Sequence, residues 1–194
     1  TGRDDGDSQI GSDIGYELND DGFMVWQGWD GSDWEIYLTD ETDVNPSPFT
    51  NNGYADTRPD INNDGTLVWQ RRIGLDDEII LESGAGESNI SNNPGCDDTS
   101  PRIGSSGHVT WQGYCDYTSP TPFSDYEVFL YNGTTVTNIS NDHNYLLLNA
   151  DKAPQVNGLG HVVWVKSYAT LSNVYYSNGT SGPQNLSNTS NTVD

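Results

Sequence analysis

An aspartate recurs four times along the chain, and three of its copies open the motif Asp-x-x-Pro. These opening aspartates are Asp13, Asp56, Asp98 and Asp151, of which Asp13 begins the divergent motif Asp-Ile-Gly-Tyr. Carboxylate oxygens are the ligands that Ca²⁺ prefers. If the repeats surround a common axis, the four carboxylates ring one mouth of a central channel, and the pattern predicts a calcium site there. The alternative is that each aspartate holds its own turn by accepting backbone N–H groups.

Other acidic side chains come in pairs at one place in the repeat. The pairs either bind cations or fill a structural role in the repeat, and the residues alone leave both interpretations open. The pairs are Asp33/Glu35, Asp77/Glu78 and Asp125/Glu127.

No motif in the chain indicates catalysis. A serine-centred elbow, a phosphate-binding loop, zinc-ligand spacing and a dinucleotide fingerprint are all missing from the sequence. Among 29 acidic residues, carboxylate pairs arise by coincidence, so a pair does not by itself predict a hydrolase. We therefore expect no enzyme activity, and a fragment of a polysaccharide lyase or hydrolase is the alternative.

Several aromatic residues fall at predicted strand ends or in loops rather than in apolar runs. Exposed rings of this kind can stack on sugar faces, although loop aromatics also pack beneath their own loops. They are the candidate ligand-binding residues Trp29, Trp34, Tyr114, Tyr117 and Tyr168.

A repeat organises the positions of all these residues. The segment Asp64-Gly-Thr-Leu-Val-Trp69-Gln70 recurs around Trp26, Trp111 and Trp164, with spacings of 43, 42 and 53 residues. Each repeated tryptophan lies within an apolar run, so we expect it to fill the space between neighbouring units. Four β-prone stretches separated by Gly- and Asn-rich turns fit into each period, which is typical of β-propeller blades.

The sequence predicts an all-β fold made of four such units. An N-terminal segment covers 1–12, and a single propeller domain covers 13–194, with blades at approximately 13–55, 56–97, 98–150 and 151–194. The four blades either close into a ring or form part of a larger propeller. The start at Thr1 rather than Met indicates a processed or excised piece.

The repeat resembles a known family. Its order of Pro-x-Ile/Val-Asn-x-x-Gly-x-Val-Val-Trp, then Asp-x-Glu-Ile-Tyr-Leu, then Asn-Ile-Ser-Asn is similar to the TolB-type, WD-like propeller repeat of secreted and surface proteins. The resemblance covers nearly all of 13–191. It departs from the pattern in two turns, where Ser106 and Leu159 replace aspartate, and in the third strand of the fourth unit, Asn173-Val-Tyr-Tyr176, which has lost its glutamate. It implies a β-propeller, and members with this repeat serve as binding platforms, accessory domains of enzymes and occasionally lyases.

In a propeller, the loops from second to third strand share one face with the loops that enter each unit. We call this the first loop face, and it would carry the opening aspartates and the candidate aromatic residues. Cys96 and Cys115 would also lie there, within one unit, which predicts a disulfide. Its closure of a roughly twenty-residue loop would stabilise the fold by about 3 kcal/mol.

Six Asn-x-Ser/Thr sequences are candidate glycosylation sites if the chain is exported. Three of them occupy the same outer-strand position of their units. The six are Asn89, Asn132, Asn138, Asn178, Asn185 and Asn188.

The charge balance excludes two classes of partner. With 29 acidic and 7 basic residues, the formal charge is −22, which cannot support nucleic-acid binding and would be repelled by an anionic membrane surface. The apolar runs are also too short to insert into a membrane. The sequence thus predicts a non-catalytic scaffold that is secreted or on the cell surface, with the periplasm included, and that is stabilised by Ca²⁺.

Its partner would be a protein or glycan bound on one loop face. One alternative is a structural subunit that self-associates into a surface layer or filament. The other is a lectin-like module that uses the loop aromatics.

Overall fold

The computed structural model of the chain describes residues 15–93, 95–117, 123–141, 150–168 and 171–187. Within these ranges the regular elements are β-strands, which confirms the predicted all-β fold. No described segment forms a helix long and apolar enough to cross a membrane. Asp13 and Asn188 lie outside the described residues, as does the side chain of Tyr117.

The strands form four consecutive antiparallel units. The first contains β1 (Tyr16–Leu18), β2 (Met24–Trp29) and β3 (Trp34–Thr39), with an isolated bridge between Tyr37 and Pro48 in place of a fourth strand. The second contains β4 (Asp56–Ile61), β5 (Leu67–Ile73), β6 (Asp76–Glu82) and β7 (Glu87–Asn89). In both units, strands that are neighbours in sequence are neighbours in the sheet.

The third and fourth units repeat this order. The third contains β8 (Cys96–Ile103), β9 (Val109–Tyr117), β10 (Phe123–Tyr131) and β11 (Val136–Asn138). The fourth contains β12 (Ala150–Val156), β13 (Val162–Tyr168), β14 (Leu171–Ser177) and β15 (Gln184–Asn185). One parallel bridge, between Tyr126 of β10 and Ala150 of β12, connects the third unit to the fourth.

The three Asp-x-x-Pro segments lie inside the first strands of the second, third and fourth units, not in the turns before them. The register between first and second strand shifts at this point in β4, β8 and β12. Before each proline stands a residue with positive φ, namely Arg58 at 53°, Ser100 at 58° and Ala153 at 53°. This geometry is a β-bulge, which lets a strand contain a proline because the extra residue needs no ladder hydrogen bond.

The hydrophobic core lies between the units. Three buried clusters occupy the three junctions, and each contains the tryptophan of the later unit facing the strands of the earlier one. Trp69 and Trp111 are completely buried and Trp164 is 2% exposed, whereas Trp26 of the first unit is half-buried. The tryptophans of the second, third and fourth units therefore fill inter-unit gaps as predicted.

The glutamine that follows the tryptophan in the first three units makes a second link between units. Its side-chain oxygen accepts the backbone N–H of the positive-φ residue in the next unit's bulge. The pairs are Gln27 with Arg58 at 2.7 Å, Gln70 with Ser100 at 3.4 Å and Gln112 with Ala153 at 2.9 Å. The Trp-Gln pair and the bulge together set the contact between consecutive units.

The predicted disulfide between Cys96 and Cys115 is present. The two cysteines are opposite one another in the register of β8 and β9. The bond therefore ties the first strand of the third unit to its second strand. A disulfide fits a protein that resides outside the reducing cytoplasm.

Candidate metal centre and aromatic loop

The four residues between β2 and β3 form a tight acidic turn. The N–H of Asp30 donates to the carbonyl of Asp33 at 3.1 Å. Asp30 Oδ1 accepts the N–H groups of Ser32 at 2.7 Å and Asp33 at 3.1 Å. Gly31 takes a φ of 116°, which favours glycine. These bonds hold the carboxylate of Asp30 above the end of the hairpin.

Two tryptophans flank this turn. Trp29 ends β2, Trp34 begins β3, and the two are directly opposite in register. Their rings meet edge to face with centroids 5.9 Å apart. Trp29 is 56% exposed and Trp34 is 38% exposed, so the pair forms a solvent-facing aromatic surface. Two of the five predicted ligand-binding aromatics are thus brought together.

Three carboxylates converge at the same turn. Asp30, Asp33 and Glu35 each place an oxygen so that all three oxygens lie within 4.8 Å of one another. Asp30 is exposed, Asp33 is partly buried and Glu35 is completely buried. One buried oxygen of Asp33 (Oδ1) and one of Glu35 (Oε2) have no hydrogen-bond partner. A hard cation with oxygen ligands fits this donor set.

The carboxylate of Glu35 is held by the segment that leads from β3 to β4. Its Oε1 accepts the N–H of Asn52 at 2.8 Å. The pKa of Glu35 is raised, first because burial removes the carboxylate from water and further because the Asp56 and Asp33 carboxylates repel its charge. The hydroxyl of Thr50 and the Asn52 N–H act in the opposite direction without cancelling this effect.

The position of Glu35 recurs in the next two units, where a serine stands at the position of Thr50 and donates directly to the glutamate. Ser91 Oγ donates to Glu78 Oε2 at 2.5 Å, and Ser140 donates to Glu127 in the same way. Glu78 also lies opposite Arg71 in register, whereas Glu35 lies opposite Gly28. The repeated glutamate is therefore a structural feature of the repeat, and its surroundings differ in the first unit.

The three described opening aspartates are completely buried, and each accepts a hydrogen bond from its own unit's tryptophan. Trp69 Nε1 donates to Asp56 at 2.9 Å, Trp111 to Asp98 at 2.9 Å and Trp164 to Asp151 at 2.6 Å. Neither sequence-based alternative included this indole donor. Calcium binding by the opening aspartates stays a prediction.

A basic residue two positions after the tryptophan neutralises two of these aspartates. Arg71 forms a bidentate pair with Asp56 at 2.7 and 3.0 Å, and Lys166 Nζ lies 3.2 Å from Asp151. Burial in these pairs is tolerated because charge and hydrogen bonds are both matched.

The third unit has Gly113 at the position of the basic residue. A side chain there would meet the ring of Phe129 at 2.8 Å and also the Asp98 carboxylate. Asp98 Oδ2 is buried without a hydrogen-bond partner. Burial, reinforced by the nearby charge of Glu78, raises the pKa of Asp98 to about 7.

Two of the remaining predicted aromatics, Tyr114 and Tyr168, pack within their own units. Tyr114 is 42% exposed, and its ring centroid lies 4.7 Å from that of Tyr126. The hydroxyl of Tyr168 is 2.9 Å from that of Tyr175.

The described sequon asparagines at strand ends have a structural role as well. The side-chain oxygens of Asn89 and Asn138 accept the N–H groups of Asn92 and Asn141, whose φ values are positive. Asn132 and Asn178 accept N–H groups in their own turns in the same manner. Asn185 is exposed. Glycosylation at these positions stays a prediction.

Sequence reasoning paired Asp33 with Glu35 but did not include Asp30. The available signal was the spacing Asp-x-x-Asp-x-Glu across a glycine-containing turn. The partners Arg71 and Lys166 were also not identified, although each follows its tryptophan by two residues.

No family model and no curated protein matches the sequence. The fold is similar to that of TolB from Acinetobacter baumannii, with a TM-score of 0.63 and 14% identity over 90% of this chain and 43% of TolB. It is also similar to the β-propeller domain of the trilobed protease from Pyrococcus furiosus, with a TM-score of 0.60 and 12% identity over 89% of this chain and 52% of that one.

A puromycin hydrolase gives a TM-score of 0.65 at 12% identity, over 93% of this chain and 29% of the hydrolase. The chain thus spans about half the length, or less, of these three structures. At such low identity the likeness concerns the fold. Four stacked antiparallel units and these neighbours agree that the chain has a TolB-like β-propeller fold.

Proposed function

We propose that the chain is a non-catalytic binding module, outside the cytoplasm, whose ligand docks on the first loop face at Trp29 and Trp34. The observation that carries this proposal is the exposed, edge-to-face pair formed by these two rings. Large aromatic side chains that stay exposed on a rigid hairpin are typical of binding surfaces, because they supply contact area at little entropic cost.

A glycan is the ligand that this surface favours. The two rings offer flat apolar faces on which sugar rings can stack. The net charge of −22 also favours neutral ligands over anionic ones.

A glycan array followed by calorimetry tests the proposal. We expect Trp29→Ala and Trp34→Ala each to weaken binding of the selected glycan at least about tenfold, because each removes one stacking surface. Phe23→Ala is the matched control, since Phe23 is an exposed ring in the β1–β2 turn at the other end of the unit. The proposal fails if no glycan or protein ligand binds more weakly to Trp29→Ala or Trp34→Ala than to the wild type.

A self-associating structural role is the second candidate, and the outer face of the fourth unit favours it. Val163 is 38% exposed and Val174 is 42% exposed. Their counterparts in the second unit, Val68 and Ile79, are completely buried against the third unit. An apolar surface of the kind that elsewhere packs on another unit is therefore open to a second copy.

A further inference from the structure

We propose that Asp30, Asp33 and Glu35 bind one Ca²⁺ ion at the β2–β3 hairpin. This site lies in the first unit and differs from the predicted ring of opening aspartates. It also stands independently of the glycan proposal, because it rests on carboxylate geometry rather than on the tryptophans.

The spacing of the oxygens matches one calcium ion. Ca²⁺ binds oxygen at 2.3–2.6 Å, so two ligands on opposite sides of the ion are about 5 Å apart. The three carboxylate oxygens lie within 4.8 Å of one another, which is close enough for them to share one ion.

The buried oxygens provide evidence beyond the presence of acidic groups. Glu35 is completely buried, and its Oε2 has no hydrogen-bond partner. Asp33 Oδ1 is buried and lacks a partner as well. Burying a carboxylate without a partner is costly, and a coordinated cation removes that cost.

The second unit shows what the same hairpin looks like without these features. Its β5–β6 hairpin has the same spacing from tryptophan to glutamate, yet Ile73 stands where the first unit has Asp30. The glutamate there, Glu78, accepts a hydrogen bond from Ser91 and lies opposite Arg71 in the register of β5 and β6. Asp76 keeps the position of Asp33 in the second hairpin, so the two hairpins differ by Asp30 and by the partnerless glutamate oxygen of the first.

A second acidic surface provides an internal comparison. Asp20, Asp21, Asp40 and Glu41 line a groove at the opposite end of β3. Asp40 already accepts hydrogen bonds from Thr42 through one oxygen. This groove holds as much negative charge, so it tests whether charge alone binds the cation.

Calcium binding is measured by titration calorimetry with CaCl₂ at about 0.15 M NaCl, which screens weak surface attraction. Tb³⁺ luminescence excited through tryptophan provides a second signal. Trp29 and Trp34 flank the site and are placed to sensitise Tb³⁺ bound there. The wild type is expected to show one saturable site, with Ca²⁺ displacing Tb³⁺ and reducing its emission.

The double variant Asp30→Asn/Asp33→Asn removes two ligand charges, while the amide oxygen introduced at position 30 can still accept the turn N–H groups. We expect its calcium affinity to fall at least about tenfold and the Tb³⁺ emission to be lost. Asp40→Asn/Glu41→Gln removes the same charge from the groove and should leave both signals unchanged. Circular dichroism without calcium verifies that each variant is folded.

Three outcomes would overturn the proposal. They are the absence of a saturable calcium site in the wild type, an unchanged site in Asp30→Asn/Asp33→Asn, and loss of the site in Asp40→Asn/Glu41→Gln. A failed glycan array leaves the calcium titration unaffected, so the two proposals are tested separately.

Discussion

At the residue scale, one position decides how each buried opening aspartate is neutralised. Arg71 and Lys166 follow their tryptophans by two residues and pair with Asp56 and Asp151. Gly113 holds the same position in the third unit and gives Asp98 no cation. The aspartate is the same in all three units, and in the third its burial, reinforced by the charge of Glu78, raises the pKa of Asp98.

The pH dependence of stability should reflect the raised pKa of Asp98. With a folded pKa of about 7 against an ordinary 3.8, the folded state holds this proton more tightly than the unfolded state does. Its contribution is complete below pH 4 and is lost as the pH rises through 7. Denaturant unfolding between pH 4 and pH 8 should show a loss on the order of 4 kcal/mol from this group.

Asp98→Asn separates this effect from other titrations. The amide keeps an oxygen for the indole of Trp111 but has no charge, so the stability difference between variant and wild type should shift in the variant's favour from pH 4 to pH 8. Asp60, with a pKa raised to about 6, contributes equally in both proteins. Asp64→Asn, at an exposed aspartate, is the control. A pH-independent difference between Asp98→Asn and wild type would contradict this prediction.

At the element scale, the strand bulge and the Trp-Gln pair explain the repeat motif. The glutamine side chain accepts a backbone N–H from the bulge of the following unit, at Gln27, Gln70 and Gln112. The glutamine and the Asp-x-x-Pro segment therefore belong to one interface. The sequence placed this segment in a turn because Asp and Pro favour turns. That assignment was wrong, since the positive φ before each proline lets the strand continue through a bulge.

The disulfide is the covalent link at this scale. We expect Cys96→Ser/Cys115→Ser to lower the free energy of unfolding by up to about 3 kcal/mol, because the bond constrains the unfolded chain. The β8–β9 pairing itself should persist, as it extends well beyond the cysteines. Thermal unfolding of the variant should match that of the reduced wild type. Identical unfolding of oxidised and reduced wild type would contradict the prediction.

At the scale of the whole molecule, each junction follows one rule. The tryptophan of a unit faces the preceding unit, and the valine or isoleucine positions of β2, β5, β6 and β10 face the following one. Val163 and Val174 occupy such positions in the fourth unit and are exposed. Trp26 of the first unit lies on the side that would face a preceding unit, and it is only half-buried.

Self-association through these surfaces is directly measurable. Light scattering over a concentration series should show oligomers of the wild type that decrease in Val163→Lys/Val174→Lys, because the lysines would have to be buried in the contact. Thr137→Lys changes an exposed outer position of the third unit and should have no effect. A wild type that stays monomeric at all concentrations would contradict this prediction.

The sequence by itself determined the fold, the tryptophan positions in the second to fourth units and the disulfide pairing. A repeat of about 43 residues with four β-prone stretches leaves few other architectures, because each unit must bury its apolar faces against neighbours. The disulfide pairing could be predicted because the loop that enters a unit and the loop between its second and third strands share one face.

Only the tertiary structure decided which carboxylates have partners. Asp30 joins Glu35 because the hairpin register brings the turn over β3, and Asp98 lacks a cation because Gly113 and Phe129 occupy that space. Such differences depend on contacts of a few ångströms between strands and units. Residue spacing along the chain does not contain them, since the opening aspartate is the same residue in every unit and the glutamate is the same in the first three.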